Sequence, residues 1–255
     1  MTTAGIHIEG VSLTLGEHPV FSGLNLRMQG GQWHAVLGRS GIGKSTLVRL
    51  LAGIQQADAG TVNADDNKPL QQRVAYMAQD DGLLPWLTVI DNVQLGPGLR
   101  GKKSRKTAEA AALLLQQTGM SGWESALPRD LSGGMRQRTA LARTLLEDQP
   151  VVLMDEPFSR LDAITRDELQ NLAYTLLESK TVVLVTHDPV EALRLAGSVH
   201  VLHGGHPTQI DSLALAPASQ PRNIDDPQFV EKLSELWSCM KMPEPDATVC
   251  MSRSA

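Results

Sequence analysis

The chain has 255 residues, 42% of them hydrophobic, which suits one large α/β domain or two small ones with a sizeable core. Its formal net charge of −5 gives no support to bulk nucleic-acid binding, and no apolar run approaches the ~20 residues that span a bilayer. Cys239 and Cys250 have no metal-ligand partners at suitable spacing, which predicts reduced thiols in a reducing compartment. The first residues lack the features of a secretory signal, so we expect any membrane role to depend on a partner.

The residue pattern predicts both strands and helices along the chain. Strands are predicted at 6–15, 24–28, 33–37, 73–77, 151–154 and 181–185, and helices at 44–52, 104–117, 132–147, 162–178 and 227–240, the last after a loop over 217–227. The first two strands alternate apolar and polar residues, as antiparallel strands do, whereas the last two are unbroken apolar runs typical of buried parallel strands. Strand patterns vanish from 81 to 147, where helical patterns dominate. This order predicts an α/β fold that contains a helical segment.

A glycine-rich loop joins the predicted strand at 33–37 to the helix at 44–52. It reads GRSGIGKS and satisfies the phosphate-loop pattern G-x-x-x-x-G-K-[ST] in the strand-to-helix context that this loop requires. Its glycines let the backbone wrap the phosphates, Lys44 neutralises their charge, and Ser45 offers a hydroxyl to Mg²⁺. The residues expected to contact the nucleotide here are Gly38, Arg39, Ser40, Gly41, Ile42, Gly43, Lys44, Ser45 and Thr46. A plain glycine turn is the alternative.

Two acidic residues and a histidine follow the two unbroken apolar strands. Asp155 and Glu156 end the run VVLMDE, and His187 follows the run TVVLVT. Ligands bind at the carboxyl ends of strands in open α/β sheets, so we expect these side chains near the phosphates. Asp155 would hold Mg²⁺, Glu156 would polarise the attacking water, and His187 would lie beside the terminal phosphate. Taken alone, the acidic pair would equally suit a helix cap before Pro157, and a lone histidine would suit a structural role.

A second motif, LSGGMRQR at 131–138, lies between the phosphate loop and the acidic strand end. A Ser-Gly-Gly turn that opens a helix presents free backbone N–H groups and the positive end of the helix dipole, which suits a phosphate. Because the chain already has one phosphate-binding loop, this second turn indicates that one nucleotide is held by two chains.

Together these motifs resemble those of the ATP-binding subunits of ABC transporters, over roughly residues 5–210. In that family's terms, Gly38–Ser45 is similar to Walker A, Gln79 to the Q-loop glutamine, Leu131–Gln137 to the signature motif, Asp155 and Glu156 to the Walker B pair, Ser159–Asp162 to the D-loop and His187 to the switch histidine. The resemblance implies a P-loop NTPase core with an antiparallel β subdomain and an inserted helical subdomain at about 81–147. It divides the chain into an ATPase domain over 5–210 and a C-terminal extension over 211–255 with one helix.

The resemblance also implies a function and a set of site residues. Two copies would form a head-to-tail dimer that holds two ATP molecules, each between Walker A of one copy and the signature motif of the other. Catalysis would use Glu156, His187 and Lys44, and Mg²⁺ would be held by Ser45, Gln79 and Asp155. Outside the phosphate loop, the nucleotide contacts would be Gln79, Ser132, Gly133, Gly134, Gln137 and Asp162.

The expected partners follow from the same resemblance. ATP hydrolysis would drive uptake of a small solute through a separate integral permease, at the cytoplasmic face of the inner membrane. A periplasmic or lipid-anchored solute-binding protein would take part indirectly, and nucleic acid would not.

The stretch Leu83–Val93 resembles that of importers of the nitrate/sulfonate/taurine class, where it would dock a short helix of the permease. Trp86 and the neighbouring leucines would form a partly exposed apolar groove, unless Trp86 belongs to the core of the helical segment. The residues at 31–33 and 76–79 also resemble components for uptake of hydroxymethylpyrimidine, the thiamin precursor. Both classes of solute therefore stay open.

Two positions depart from the family pattern. Leu15 stands where an aromatic residue usually stacks on adenine, and His18 and Phe21 are the candidates to replace that residue. We therefore expect weaker discrimination between ATP and other nucleoside triphosphates. Arg160 occupies a D-loop position where a small residue is more common, and it either reaches across a dimer interface or points into solvent.

Two functions of other classes are the alternatives to an importer. An ABC-type ATPase in a soluble complex would share these motifs, although the chain lacks the coiled-coil insertion, zinc cysteines and duplicated cassette that several such proteins carry. A phosphoryl-transfer enzyme acting on a small molecule would share the phosphate loop but would need no second phosphate-binding turn.

Overall fold

The computed structural model describes residues 3–205, 207–215 and 220–241. The strands are β1 (Ile6–Leu15), β2 (His18–Met28), β3 (Trp33–Gly38), β4 (Ala59–Ala64), β5 (Val74–Met77), β6 (Val151–Asp155), β7 (Thr181–Thr186), β8 (Ser198–His203) and β9 (Gln209–Ala214). The helices are α1 (Lys44–Leu51), α2 (Val89–Val93), α3 (Leu95–Leu99), α4 (Arg105–Gln117), α5 (Gly133–Leu146), α6 (Ala163–Leu176), α7 (Pro189–Leu195) and α8 (Pro227–Lys241). Cys250, the side chain of Cys239 and residues 217–219 of the predicted loop lie outside the described part of the chain.

The larger sheet has the strand order β5-β6-β7-β3-β8-β9. Neighbouring strands from β5 to β8 run parallel, whereas β9 runs antiparallel to β8. Strands β6 and β7 are buried along their whole length, which confirms the prediction of parallel strands covered on both faces. Because β3, β5, β6 and β7 all point the same way, their carboxyl ends meet at one edge of the sheet, here called the carboxyl edge.

The smaller sheet has the order β2-β1-β4, and both of its strand pairs are antiparallel, as the resemblance implies. Strand β2 begins at His18, well before the predicted start, because Gly23 at a φ of 64° and shifts in register interrupt its alternation. The sequence does not predict strand β4, because half of its residues are exposed and no apolar alternation marks it. Strand β9 and the short helix α7 were also missed, since a partly exposed edge strand and two turns of helix carry weak periodicity.

Helices α2 to α5 occupy the stretch 81–147, in agreement with the prediction. Helices α2, α4 and α5 and the loops beside them share a hydrophobic core made of Leu83, Val89, Val93, Ala111, Leu115, Met120, Leu131 and Ala142. The two longer helices begin at capping serines, because the hydroxyl of Ser104 accepts from the Thr107 N–H and that of Ser132 from the Met135 N–H. The division into domains stays a prediction, and its boundary after residue 210 falls inside β9. Within the described ranges, no helix is both long and apolar enough to cross a membrane.

Candidate functional site

A cavity of about 720 Å³ opens at the carboxyl edge of the larger sheet. It is lined by Leu15, His18, Val20, Ser40, Gly41, Gly43, Lys44, Ser45, Thr46, Gln79, Glu156 and His187. These residues come from the end of β1, the start of β2, the loops after β3, β5, β6 and β7, and the start of α1. The parallel strands thus bring the phosphate loop, the acidic strand end and the histidine to one place, as the sequence predicts.

The phosphate loop forms one wall of this cavity. Gly43 precedes α1 at a φ of 106°, a conformation that favours glycine, and no side chain caps the N-terminus of this helix. The buried Lys44 Nζ donates to the carbonyl oxygens of Gly38 at 2.8 Å and Arg39 at 3.0 Å. Uncapped N–H groups beside a buried ammonium make this wall suited to a polyphosphate.

Gly38 ends β3 against the next strand of the sheet. A Cβ there would lie 2.7 Å from the Leu202 carbonyl oxygen, so only glycine lets the chain turn at this point. Ile42 turns its side chain to the hydrophobic core, and its carbonyl oxygen accepts from the Thr208 hydroxyl at 2.8 Å. Of the predicted loop contacts, Gly38, Arg39 and Ile42 are therefore not among the residues that line the cavity.

The charges in the cavity compensate one another. Burial lowers the pKa of the Lys44 ammonium, while the negative charges of Glu156 and Asp155 act in the opposite direction. Burial also raises the pKa of the Asp155 carboxyl, whereas a hydrogen bond from the Ser45 hydroxyl lowers it. A buried carboxylate is costly without a cation beside it, so a further positive charge at Asp155 would be stabilising.

Ser45 and Asp155 form an oxygen-rich corner. The Ser45 Oγ donates to the Asp155 Oδ1 over 3.2 Å, and Asp155 is buried at the end of β6. Hydroxyl and carboxylate oxygens are the donors that Mg²⁺ prefers, and this ion keeps several of its waters. The donor set therefore fits a magnesium ion that accompanies a triphosphate.

Glu156 occupies a strained position directly after β6. Its φ is 47°, a left-handed conformation that is uncommon for a residue with a side chain. Its Oε2 accepts from the Gln79 Nε2 at 3.4 Å and lies 3.2 Å from the His187 Nδ1. The carboxylate is thus flanked by an amide donor and an imidazole, an arrangement that can orient a water molecule and accept its proton.

The signature turn, Ser132–Gly134, lies outside this cavity. Ser132 and Gly133 are exposed at the start of α5, and the Ser132 Oγ accepts from the Met135 N–H at 3.2 Å. A Cβ on Gly134 would come within 2.7 Å of the Thr165 side chain, so this glycine lets α6 approach the turn closely. Asp162 caps α6 by accepting from the Thr165 N–H at 3.1 Å. The turn and the end of the D-loop are therefore neighbours.

Gln137, unlike the exposed residues of the signature turn, is buried. Its side chain is only 5% exposed, and its Oε1 is buried without a hydrogen-bond partner among the described residues. The sequence could have indicated this, because Gln137 stands three and four residues before the buried Ala140 and Leu141 on one helix face. A role for Gln137 at the nucleotide stays a prediction.

The region expected to hold the adenine ring is lined by Leu15, His18 and Val20. Phe21 is fully buried in the hydrophobic core, so the expectation that Phe21 could replace the adenine-stacking aromatic residue is wrong. Strand alternation could not have excluded Phe21, because Val20 and Phe21 are both buried at this point of β2 and belong to the same core.

The predicted docking stretch Leu83–Val93 is divided between core and surface. Leu83, Val89 and Val93 belong to the core of the helical segment. Trp86, in contrast, is 71% exposed and so is not part of that core. The contact of Trp86 with a permease stays a prediction.

Comparisons with known proteins agree with this geometry. The family model described as ABC transporter matches residues 21–159. An uncharacterized ABC transporter ATP-binding protein of Haemophilus influenzae is 45% identical over 221 residues, which cover 86% of this chain and 91% of that protein. The aliphatic sulfonates import ATP-binding protein SsuB of Delftia acidovorans is 41% identical over 230 residues, covering 89% and 90% of the two chains.

Solved structures show the same fold. A dimeric post-hydrolysis state of the ATP-binding cassette MJ0796 bound to ADP and Pi is 28% identical, with a TM-score of 0.68 over 77% of this chain and 93% of that one. A second dimeric structure of MJ0796, a bacterial ABC transporter cassette, has a TM-score of 0.67 with the same identity and coverage. The chain therefore belongs to the ATP-binding subunits of ABC transporters, a family of ATP hydrolases.

Proposed function

We propose that this chain is the ATP-hydrolysing subunit of an importer and that two copies hold two ATP molecules head to tail. One observation carries this proposal: the cavity gathers the phosphate loop, Gln79, Glu156 and His187, whereas the signature turn is exposed outside it. The Ser132 cap satisfies only one of the free N–H groups in the first turn of α5, and a second copy can bring a phosphate to the others. The dimers formed by MJ0796 support the same arrangement.

The chain's own residues would divide the chemistry among them. The phosphate loop and Lys44 bind the triphosphate, Glu156 accepts a proton from the attacking water, and Gln79 and His187 orient that carboxylate and the terminal phosphate. Ser45, Asp155 and Gln79 would hold Mg²⁺, which when bound neutralises charge on the phosphates. The signature turn of the other copy then completes the anion site, so hydrolysis requires the closed dimer.

The importer assignment rests on the relatives. Two further SsuB proteins named for aliphatic sulfonate import, from Xanthomonas axonopodis and Cupriavidus pinatubonensis, are each 38% identical to this chain. These names favour a sulfonate-like solute over the pyrimidine alternative. An integral permease would dock at the exposed Trp86. The subunit would then lie on the cytoplasmic face of the membrane, and a solute-binding protein would deliver the solute from the other side.

Co-isolation from membranes tests this function. A tagged chain expressed with its genomic neighbours is expected to purify with an integral permease, and Trp86→Ala is expected to weaken that association. Leu113→Ala, at a 54% exposed apolar residue on α4, is the matched control and should leave the association unchanged. If the tagged chain purifies instead in a soluble complex without an integral membrane protein, the result would support an ATPase that has no role in transport.

Nucleotide competition tests the adenine region. Since the aliphatic Leu15 offers no ring face to a purine, we expect GTP to compete with ATP within about tenfold of equal affinity, because an aromatic stack contributes only about 0.5–1.5 kcal/mol. The Leu15→Tyr variant is expected to increase the preference for ATP. A strong preference of the native chain for adenine nucleotides would contradict this expectation.

A further inference from the structure

Arg160 of the D-loop is paired with Asp80 of the same chain. The Arg160 Nη1 lies 2.5 Å from the Asp80 Oδ1, and the two side chains are 63% and 76% exposed. Arg160 is thus exposed to solvent, as one of the two sequence-based expectations has it, and it also contacts a carboxylate of its own chain, which neither expectation includes. Because the two residues are 80 positions apart, the pair joins two separate loops at the mouth of the ATP cavity.

This ion pair closes a ring of contacts around Glu156. Asp80 directly follows Gln79, whose Nε2 donates to the Glu156 Oε2 at 3.4 Å. Arg160 directly follows Ser159, whose N–H and Oγ donate to the Glu156 carbonyl oxygen at 3.3 and 3.0 Å. The side chain of Glu156 is thus contacted from the loop of Asp80, and its backbone from the loop of Arg160.

The residues after Asp80 are held from the other side by α5. The Arg136 Nε lies 3.1 Å from the Asp81 Oδ2, and Arg143 donates to the carbonyl oxygens of Asp81 at 2.5 Å and Gly82 at 2.9 Å. The signature turn opens this same helix. The segment 80–82 is therefore fixed to α5 on one side and to the D-loop, through Arg160, on the other.

We propose that Arg160 is a positioning residue that sets the geometry of Gln79 and Glu156 by fixing Asp80. The proposal rests on the catalytic role of Glu156 in the proposed function. An exposed ion pair of this kind contributes little to folding stability, so its effect lies in geometry. Displacements of about 1 Å at a reacting group can cost up to about a hundredfold in rate. Since α5 holds the segment 80–82, a shift of α5 would also change the position of Glu156.

The experiment measures steady-state ATP hydrolysis by the full-length chain with Mg²⁺. We expect Arg160→Ala and Asp80→Asn each to lower kcat about tenfold, with the KM for ATP and the thermal midpoint nearly unchanged, because neither residue lines the phosphate loop. The double variant should be no slower than either single variant, since both changes break one contact. The charge-exchanged variant Asp80→Arg with Arg160→Asp should recover most of the rate, which a merely structural role would not produce.

Arg105→Ala is the matched control, because Arg105 also forms an exposed ion pair, with Glu109 on α4, and neither residue lines the cavity. It should hydrolyse ATP like the native chain. Native rates in the Arg160→Ala variant, or losses that multiply in the double variant, would overturn the positioning role while leaving the proposed function intact. Absence of hydrolysis in the native chain together with its permease would overturn the proposed function itself.

Discussion

Replacing Glu156 with glutamine is expected to stop ATP turnover while ATP binding persists, so that the variant accumulates as an ATP-bound dimer. Glutamine keeps the size of the side chain and can still contact Gln79 and His187, but it cannot accept a proton from water. Loss of a general base costs roughly a hundredfold or more in kcat. The phosphate loop, Lys44 and the signature turn are untouched, so the groups that join two copies through ATP remain.

The measurement is size-exclusion chromatography with light scattering, with Mg²⁺ and ATP or ADP. The Glu156→Gln chain should be dimeric with ATP and monomeric with ADP, because ADP lacks the phosphate that the second copy would contact. Glu178→Gln, at an exposed carboxylate beyond the end of α6, should behave like the native chain in both nucleotides. A Glu156→Gln chain that stays monomeric with ATP, alone and with its permease, would contradict the two-chain site.

The sequence predicts the site well wherever strand direction alone brings residues together. Asp155 ends one parallel strand, Lys44 and His187 come after two others, and the carboxyl ends of parallel strands can meet at only one edge. The same argument fails for side chains whose direction depends on packing. Phe21 and Gln137 carry suitable chemical groups but point into the core, because the neighbouring apolar positions decide which face of the element is buried.

Contacts between loops are beyond this kind of prediction. Asp80 and Arg160 each lie in an irregular segment without periodicity, so no pattern indicates which residue faces which. Their approach depends on how α5 holds the segment after Gln79, and this requires the packed helical segment as a whole. The sequence therefore indicates that Arg160 is unusual in the D-loop, whereas only the structure shows that its partner is Asp80.

Among variants that keep the fold intact, Gly133→Asp is expected to have the largest effect on ATP-dependent dimerisation. A Cβ at Gly133 meets nothing within 4 Å, and its φ is not positive, so a side chain fits there without strain. The first turn of α5 holds no acidic residue, and a carboxylate there would stabilise the helix by about 0.3–1 kcal/mol through its dipole. The folded subunit should therefore be slightly more stable, and its own phosphate loop should bind ATP as before.

The same carboxylate is expected to prevent the closed dimer, because it would face the phosphates of the ATP held by the other copy. Two like charges about 4 Å apart repel by about 4 kcal/mol at an effective dielectric constant near 20, which corresponds to roughly a thousandfold in the dimerisation constant. In the Glu156→Gln background, Gly133→Asp should abolish ATP-dependent dimers, while the isosteric but neutral Gly133→Asn should weaken them far less. If the aspartate and asparagine variants lose dimers equally, the size of the side chain and not its charge prevents dimerisation. Full dimerisation of the aspartate variant would mean that the exposed turn receives no phosphate from a second copy.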